Sequence, residues 1–280
     1  MDVRAYLAER SPLVDRWLDD FLPAADEPPA QLHAAVRHLL FPGGKRFRPV
    51  LAMAAAEAVG ESPQASLPAA AALELIHTYS LIHDDLPCMD DDDERRGAPT
   101  VHVKYGEAVA VLAGDALLAK AFEAAAAVLP DAGAERTVLA MRDLAVAAGS
   151  RGLVGGQVDD LAYEHDTPDA ACIESVHERK TGALIAASVV VGARLAGASQ
   201  EQLEQLHCFG RDVGVAFQIA DDGFDEDEDG GCSLVRALGR EAAEARAEAL
   251  LGAALSQIAE WPERAEPLRE LARFAVRRDR

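Results

Sequence analysis

Apolar residues recur at helical spacing along nearly the whole of this 280-residue chain. Alanine dominates the composition, whereas aromatic residues make up only 5% of it. Alanine has the highest intrinsic helix propensity, and strands are normally built from β-branched and aromatic residues. The pattern therefore predicts an all-α fold. Because 50% of the residues are hydrophobic, the chain can bury a full core, as one large domain or two small ones.

The formal net charge of −21 limits the class of partner. Nucleic acids and anionic membrane surfaces are polyanions, so we expect neither to be the main partner. A small anionic substrate would require a local cluster of cations set against this general field. The chain has only four lysines, so their positions are informative: Lys45, Lys104, Lys120 and Lys180.

The cysteines are widely spaced and form no Cys-x-x-Cys motif. They are Cys88, Cys172, Cys208 and Cys232. We expect all four to be reduced and structural, as in a cytoplasmic protein. Residues Met1 to Ser11 contain no apolar signal core. The longest apolar run, Ala183 to Ala193, is too short to span a bilayer. The sequence thus predicts a cytoplasmic protein without a membrane span.

Residues 77–97 combine six aspartates with two adjoining arginines, Arg95 and Arg96. Carboxylates packed this closely repel one another unless cations lie between them, and hard oxygen ligands favour Mg²⁺ or Mn²⁺. The arginines suggest that phosphates supply the other ligands of the metal. The alternative is an exposed acidic turn over Asp90 to Glu94.

The same stretch begins as a helix that we expect to run from Leu67 to about Leu86. His77 and Asp84 lie seven residues apart in it, so both side chains fall on one face. Pro87 has no amide hydrogen and should end or kink the helix. Asp90 could then fold back towards Asp84.

A second candidate site is the turn Gly43-Gly44-Lys45-Arg46-Phe47-Arg48, which precedes a helix expected over Val50 to Val59. Glycine lets backbone amides approach a ligand closely, and three cations follow within four residues. The turn is a plausible phosphate cradle. It lacks the Gly-x-x-x-x-Gly-Lys-[Ser/Thr] pattern of a Walker A loop.

A second acidic cluster lies on a helix predicted from about Leu203, which we take as the last helix of the core. Gln218, Asp221, Asp222 and Asp225 share one stripe of an otherwise apolar pattern. The acidic run that follows imitates the first half of an EF-hand loop. Its twelfth position is an arginine where calcium coordination requires glutamate, which excludes a calcium sensor.

Lys180-Thr181 lies within the longest apolar helical pattern, Cys172 to Arg194. A buried charge is unfavourable unless it is paired, so we expect an anionic partner for Lys180. Upstream, Gly155 to Asp160 does not match Gly-x-Gly-x-x-Gly, and no strand precedes it. The pattern therefore argues against a dinucleotide site, and the small residues here favour close helix packing.

Together these motifs resemble the trans-prenyltransferase family, the isoprenyl diphosphate synthases. The resemblance extends from Gly43 to the final residues and is most specific at 77–97 and 221–225. It implies a single domain over 1–280, a bundle of antiparallel helices around a deep cavity, and a homodimer. It also implies about three Mg²⁺ ions, with Mn²⁺ as an alternative. The implied reaction joins isopentenyl diphosphate to dimethylallyl or geranyl diphosphate.

The resemblance also implies roles for individual residues. The implied metal ligands are Asp84, Asp85, Asp90, Asp221, Asp222 and Asp225. The implied isopentenyl diphosphate site consists of Lys45, Arg48, His77 and Arg96, and Gly44 is a further implied substrate-binding residue. The implied allylic diphosphate and catalytic residues are Arg95, Lys180, Thr181 and Gln218. Residues matching a supporting family motif are Gly156, Gln157 and Asp160. An apolar cavity between the helices would hold the growing chain.

The family resemblance places the determinant of product length just before the first acidic motif, at Tyr79 and Ser80. A bulky ring at this position implies a short product, which favours farnesyl diphosphate. The segment Asp84 to Asp90 with its Cys88, and the segment Val109 to Asp115, also resemble geranylgeranyl-forming members. A geranylgeranyl diphosphate synthase is thus the alternative.

The sequence departs from the family after the second acidic motif. Family members usually carry lysines in the following loop, whereas this chain has no lysine after Lys180. A missing cation would weaken diphosphate binding, so a weakly active or regulatory subunit of the same fold is a further alternative. A terpene cyclase would need no cations at Lys45 and Arg48. A non-enzymatic acidic binding protein would have no cation cluster near the acids.

Overall fold

The computed structural model describes residues 1–41, 43–163, 169–223 and 232–277, and it confirms an all-α bundle. The helices of the first half are α1 (Val3–Phe21), α2 (Ala30–Leu40), α3 (Phe47–Val59), α4 (Leu67–Asp84), α5 (Val101–Tyr105), α6 (Glu107–Ala126), α7 (Leu129–Ala132) and α8 (Ala134–Ala148). Those of the second half are α9 (Leu153–Leu161), α10 (Ala170–His177), α11 (Ala183–Leu195), α12 (Gln200–Asp222), α13 (Leu234–Leu238), α14 (Arg240–Gln257) and α15 (Glu266–Val276).

Helices α3 and α11 form the centre of the bundle. Their side chains contribute to both of the large hydrophobic clusters, one shared with α4 and α6 and the other with α12, α14 and α15. The two backbones touch at Gly192, where a Cβ atom would lie 1.9 Å from the Ala52 carbonyl oxygen. A helix that is apolar on all sides belongs in a core, and this is the position of α11. No helix within the described ranges is long and apolar enough to cross a membrane.

The C-terminal part adds more to the core than we expected. Helix α12 begins at Gln200, where Ser199 and Gln202 form a capping box, and it is not the last core helix. Leu251 on α14 and Leu268 and Leu271 on α15 are also buried in the core. The prediction failed because α14 is rich in charged residues and buries only a narrow stripe of alanines and leucines.

The expected continuous helical pattern from Cys172 to Arg194 is divided. Helix α10 ends at His177, a π-helical turn covers Glu178–Gly182, and α11 follows. Single π turns inside α-helices are rare and frequently occur at functional sites. This turn carries Lys180 and Thr181.

Candidate active site

The first acidic segment folds back on α4. Helix α4 ends at Asp84, and the Asp90 amide donates to the Asp84 carbonyl oxygen at 2.9 Å. The Asp91 amide donates to the Leu86 carbonyl oxygen at 3.2 Å. The break that Pro87 predicted therefore occurs, and the chain returns as expected. It brings the two candidate ligands Asp84 and Asp90 to the same end of the helix.

The carboxyl groups of this segment lie close enough to repel one another, and one of their oxygens is buried without a partner in the part of the chain that the structure describes. Asp85 is fully buried, and its Oδ1 accepts from Arg95 Nε, while its Oδ2 is buried without a hydrogen-bond partner among the described residues. Burial, reinforced by Asp90, raises the pKa of Asp84 to about 7 although Lys180 opposes the shift. Burial also raises the pKa of Asp85, and partial desolvation raises that of Asp90, which is exposed at the surface. Unsatisfied, mutually repelling oxygen ligands of this kind fit a hard divalent cation.

A short hairpin places the two arginines on different sides of the site. Strands β1 (Glu94–Arg95) and β2 (Ala98–Pro99) pair antiparallel around Arg96 and Gly97, whose φ angles are 57° and 75°. Positive φ at both central residues is typical of a tight hairpin turn. Arg95 points to the acids and also donates to Asp92 at 2.7 Å, whereas Arg96 lines a separate cavity.

The second wall of the site is the end of α12. Thr181 Oγ1 donates to Gln218 Oε1 at 2.8 Å, and Gln218 Nε2 donates to Asp222 Oδ1 at 3.0 Å. These three candidate residues thus form one hydrogen-bonded chain. Burial raises the pKa of Asp222, as it does for the carboxyls on the first wall. The proposed ligand Asp225 lies outside the described residues.

Lys180 lies between the two walls. Its Nζ is 2.5 Å from Asp160 Oδ2, which confirms the expected anionic partner. Burial opposes the charge of Lys180, but Asp160, Asp84 and Asp90 outweigh it and raise the pKa of the lysine. Gly156 makes this arrangement possible, because a Cβ atom there would lie 2.3 Å from the Lys180 amide nitrogen.

All four residues expected at the isopentenyl diphosphate site line one cavity of about 200 Å³, together with the predicted substrate-binding Gly44. The four are Lys45, Arg48, His77 and Arg96. Burial and the neighbouring arginines keep the pKa of His77 well below its usual range. Burial lowers the pKa of Arg48 to about 10, although Glu74 and Asp221 oppose the shift. Cations held this closely without enough counter-charge create a site for an anion.

The Arg46 guanidinium does not point to the other cations of the Gly-Gly turn, although Arg46 also lines their cavity. Helix α3 begins at Phe47 rather than Val50, and Arg46 precedes it with a φ of 51°. The Arg46 guanidinium turns into the core, where it donates to Glu74 at 2.7 Å, Asp15 at 2.7 Å and the Leu40 carbonyl oxygen at 2.6 Å. Buried charges need partners of this quality, so Arg46 is a structural anchor and not part of the cradle.

The candidate determinants of product length lie one turn before Asp84 on α4. Tyr79 is 4% exposed, and its ring meets the His83 ring edge to face with the centroids 5.8 Å apart. Burial raises the pKa of Tyr79 to about 12, and its hydroxyl has no hydrogen-bond partner within the described part of the chain. Ser80 donates to the His77 carbonyl oxygen at 2.9 Å. Tyr79 is therefore held as a packed ring, and Ser80 faces its own helix.

Sequence reasoning missed two residues of the site, His177 and Glu74. His177 is buried at the end of α10, with Nε2 at 3.6 Å from Asp222 Oδ2. Glu74 is the buried partner of Arg46 and also lies near the cation cavity. Their spacing could have indicated both residues, because side chains three positions apart share one face of a helix. His177 precedes Lys180 by three residues, and Glu74 precedes His77 by three.

The chain is similar to known proteins in both sequence and structure. The family model described as polyprenyl synthetase matches residues 29–258. A geranylgeranyl pyrophosphate synthase of Catharanthus roseus is 42% identical over 99% of this chain and 82% of its own length. A farnesyl diphosphate synthase of Bacillus subtilis is 44% identical over 78% of this chain and 74% of its own length. A solved structure, described as an FPP/GFPP synthase of Zymomonas mobilis, shares 37% identity with a TM-score of 0.90, covering 98% and 99% of the two chains.

Proposed function

This chain belongs to the polyprenyl synthetase family, and we propose that it condenses isopentenyl diphosphate with dimethylallyl or geranyl diphosphate to form farnesyl diphosphate. The observation that carries the proposal is the placement of two kinds of site side by side. A cation-lined cavity suits one diphosphate, and two walls of carboxylates with Lys180 between them suit a second diphosphate held through metal ions. Arg48 lies close enough to Asp221 for the two charges to interact, so the sites adjoin.

In the proposed reaction, different cations bind the two diphosphate substrates. Lys45, Arg48 and Arg96 hold isopentenyl diphosphate in the cavity, and Lys180 and Arg95 hold the allylic diphosphate. The allylic C–O bond breaks, diphosphate leaves with the electron pair, and the isopentenyl double bond attacks the allylic cation. Loss of one proton to the released diphosphate restores a double bond. Fixed cations that stabilise the developing negative charge accelerate such a step.

The carboxylates on both walls would hold the metal that the allylic site requires. We propose Mg²⁺, about three ions when the diphosphate is bound, with Mn²⁺ as a substitute. Bound Mg²⁺ would supply charge neutralisation on the departing diphosphate. The fit rests on the buried, unpartnered Oδ2 of Asp85 and the raised pKa values of Asp84, Asp85 and Asp90.

The function is tested by incubating the purified protein with Mg²⁺, isopentenyl diphosphate and either allylic primer. Products are identified by mass spectrometry after removal of the diphosphate. We expect a C15 product. A C20 product would favour the geranylgeranyl alternative, and the absence of any elongated product would favour the regulatory-subunit alternative.

Tyr79 supplies the test of product length. We expect Tyr79→Ala to extend the product beyond that of the wild type, because the buried ring would no longer block the path along α4. Tyr105→Ala is the control, since the Tyr105 ring contacts His38 on α2, away from both acidic walls. An unchanged product from a folded Tyr79→Ala variant would place the floor of the cavity elsewhere.

We also propose that two copies of the chain form a homodimer through α6 and α8. These helices pack on each other and expose large apolar side chains, with Leu112 57%, Val138 63% and Val146 57% exposed. Exposed apolar patches of this kind mark interaction sites. An isologous pairing of two such faces would cover them.

Leu112→Arg is expected to convert the dimer into a monomer, because each copy would then place a charged guanidinium in the apolar interface. The control is Leu238→Arg, which changes an exposed leucine on α13. The molar mass of each protein is measured by light scattering during size-exclusion chromatography. A Leu112→Arg protein that keeps the mass of the wild type would contradict this interface.

A cytoplasmic location stays a prediction, which rests on the cysteine usage. The printed name of the Catharanthus relative assigns that protein to the chloroplast. A single domain over 1–280 is likewise a prediction. The location can be measured directly by fluorescence microscopy of the tagged protein in its own cell.

A further inference from the structure

His177 is a buried histidine whose hydrogen bonds point towards the second acidic wall. It is 3% exposed, and its Nε2 lies 3.0 Å from the Cys232 carbonyl oxygen and 3.6 Å from Asp222 Oδ2. Both neighbours are acceptors, so Nε2 must carry the hydrogen. Nδ1 is buried and has no hydrogen-bond partner in the described parts of the chain. The imidazole is therefore anchored from one side only.

The Asp222 carboxylate is fixed by groups from three different elements. Gln218 Nε2 donates to Oδ1 at 3.0 Å from the same helix, and the Leu234 amide donates to Oδ2 at 3.2 Å from the start of α13. His177 approaches Oδ2 from the end of α10. Since two of these groups lie outside α12, the orientation of the carboxylate depends on how α10 and α13 are held.

His177 controls one of those contacts indirectly. Its short hydrogen bond is to the Cys232 carbonyl oxygen, and Leu234, two residues further on, is the residue whose amide holds Asp222. The longer 3.6 Å approach to Asp222 adds electrostatic support. An apolar side chain of similar size would fill the space without leaving Nδ1 unpaired. What the imidazole contributes is thus the hydrogen on Nε2.

We propose that His177 is a positioning residue, which orients the Asp222 carboxylate for cation-dependent diphosphate binding by fixing the backbone between Cys232 and Leu234. The inference rests on the proposed function, because it takes Asp222 as a ligand of the metal. Groups that orient a metal ligand in this way typically contribute 10–100-fold to affinity or activity. The effect should be confined to the allylic diphosphate, since neither α10 nor residues 232–238 are among the described residues that line the cavity of Lys45 and Arg48.

The test compares His177→Leu, which removes the donor, with His177→Gln, whose amide nitrogen can replace Nε2. The first readout is calorimetric titration of the protein with inorganic diphosphate in the presence of Mg²⁺. We expect His177→Leu to weaken this binding by roughly 10–100-fold and His177→Gln to restore most of it. The second readout is kinetic: KM for the allylic diphosphate should rise, and KM for isopentenyl diphosphate should stay unchanged.

His207→Leu is the matched control, because His207 is exposed on α12 and should leave both readouts unchanged. Wild-type binding by His177→Leu, or equal losses in the Leu and Gln variants, would overturn the proposal. If His177→Leu does not fold, His177→Phe replaces it, with a ring of similar size and no donor. If the wild type forms no elongated product, the proposed function fails, while the diphosphate titration still decides the role of His177.

Discussion

Asp84→Asn is expected to lower kcat by roughly 10²–10³-fold. This is the typical effect of removing one group that stabilises the charge developing in the transition state. Asp84 ends α4 beside Asp90, and burial raises its pKa to about 7, so a bound cation would stabilise the charged carboxylate. An amide is isosteric but cannot neutralise a divalent ion. Steady-state rates over a range of Mg²⁺ concentrations are the measurement.

Asp91→Asn is the matched control for this prediction. Asp91 belongs to the same acidic run, but it is exposed and has a φ of 56°, a conformation that asparagine tolerates well. Its activity should match that of the wild type. Thermal unfolding should show that Asp84→Asn is no less stable than the wild type, because the change removes a buried charge. Equal activities of the two variants would exclude Asp84 as a ligand.

Arg46→Ala is expected to lower the free energy of unfolding by about 3–5 kcal/mol, as is typical when one member of a buried ion pair is removed. The Arg46 side chain is fully buried and that of Glu74 is 3% exposed, so the glutamate would be left as an uncompensated charge in the core. Such a loss is a large part of the roughly 5–15 kcal/mol that stabilises a typical domain. Urea unfolding followed by circular dichroism measures it.

Two comparisons separate this effect from the loss of an ordinary arginine. Arg277 pairs with Glu248 at 2.6 Å, but both side chains are about half exposed, so Arg277→Ala should change stability by no more than about 1 kcal/mol. The double variant Arg46→Met with Glu74→Leu removes both buried charges and should recover most of the lost stability. If Arg46→Ala is no worse than Arg277→Ala, the buried pair is not an anchor.

The sequence predicted the fold class and helices such as α3, α4 and α12, because the burial of an apolar stripe gives the sequence a helical period. Pro87 and the helical spacing of His77 and Asp84 were also sufficient to predict the fold-back of the first acidic segment. Those features depend on residues near one another in the chain. Local physical chemistry decides them.

Other features depend on partners distant in sequence, and these were missed. Nothing near Arg46 indicates that it turns inward to Glu74, because that partner lies 28 residues away. Apart from its spacing to Lys180, nothing in the sequence distinguishes His177 from other helical residues. Its partner is the carbonyl oxygen of Cys232, which lies 55 positions downstream. The charge-rich surface of α14 concealed a core-facing stripe for a similar reason. Each case requires knowledge of which elements pack together.

The π-helical turn at Glu178–Gly182 has a geometric consequence for the whole second half of the bundle. Compared with an uninterrupted α-helix, one extra residue rotates the directions of the following side chains by about 100° about the helix axis. Helices α10 and α11 therefore continue one another along the chain while being out of phase. The side chains of the two parts therefore take different directions: His177, Lys180 and Thr181 are directed to the acidic walls, and α11 is buried in the core.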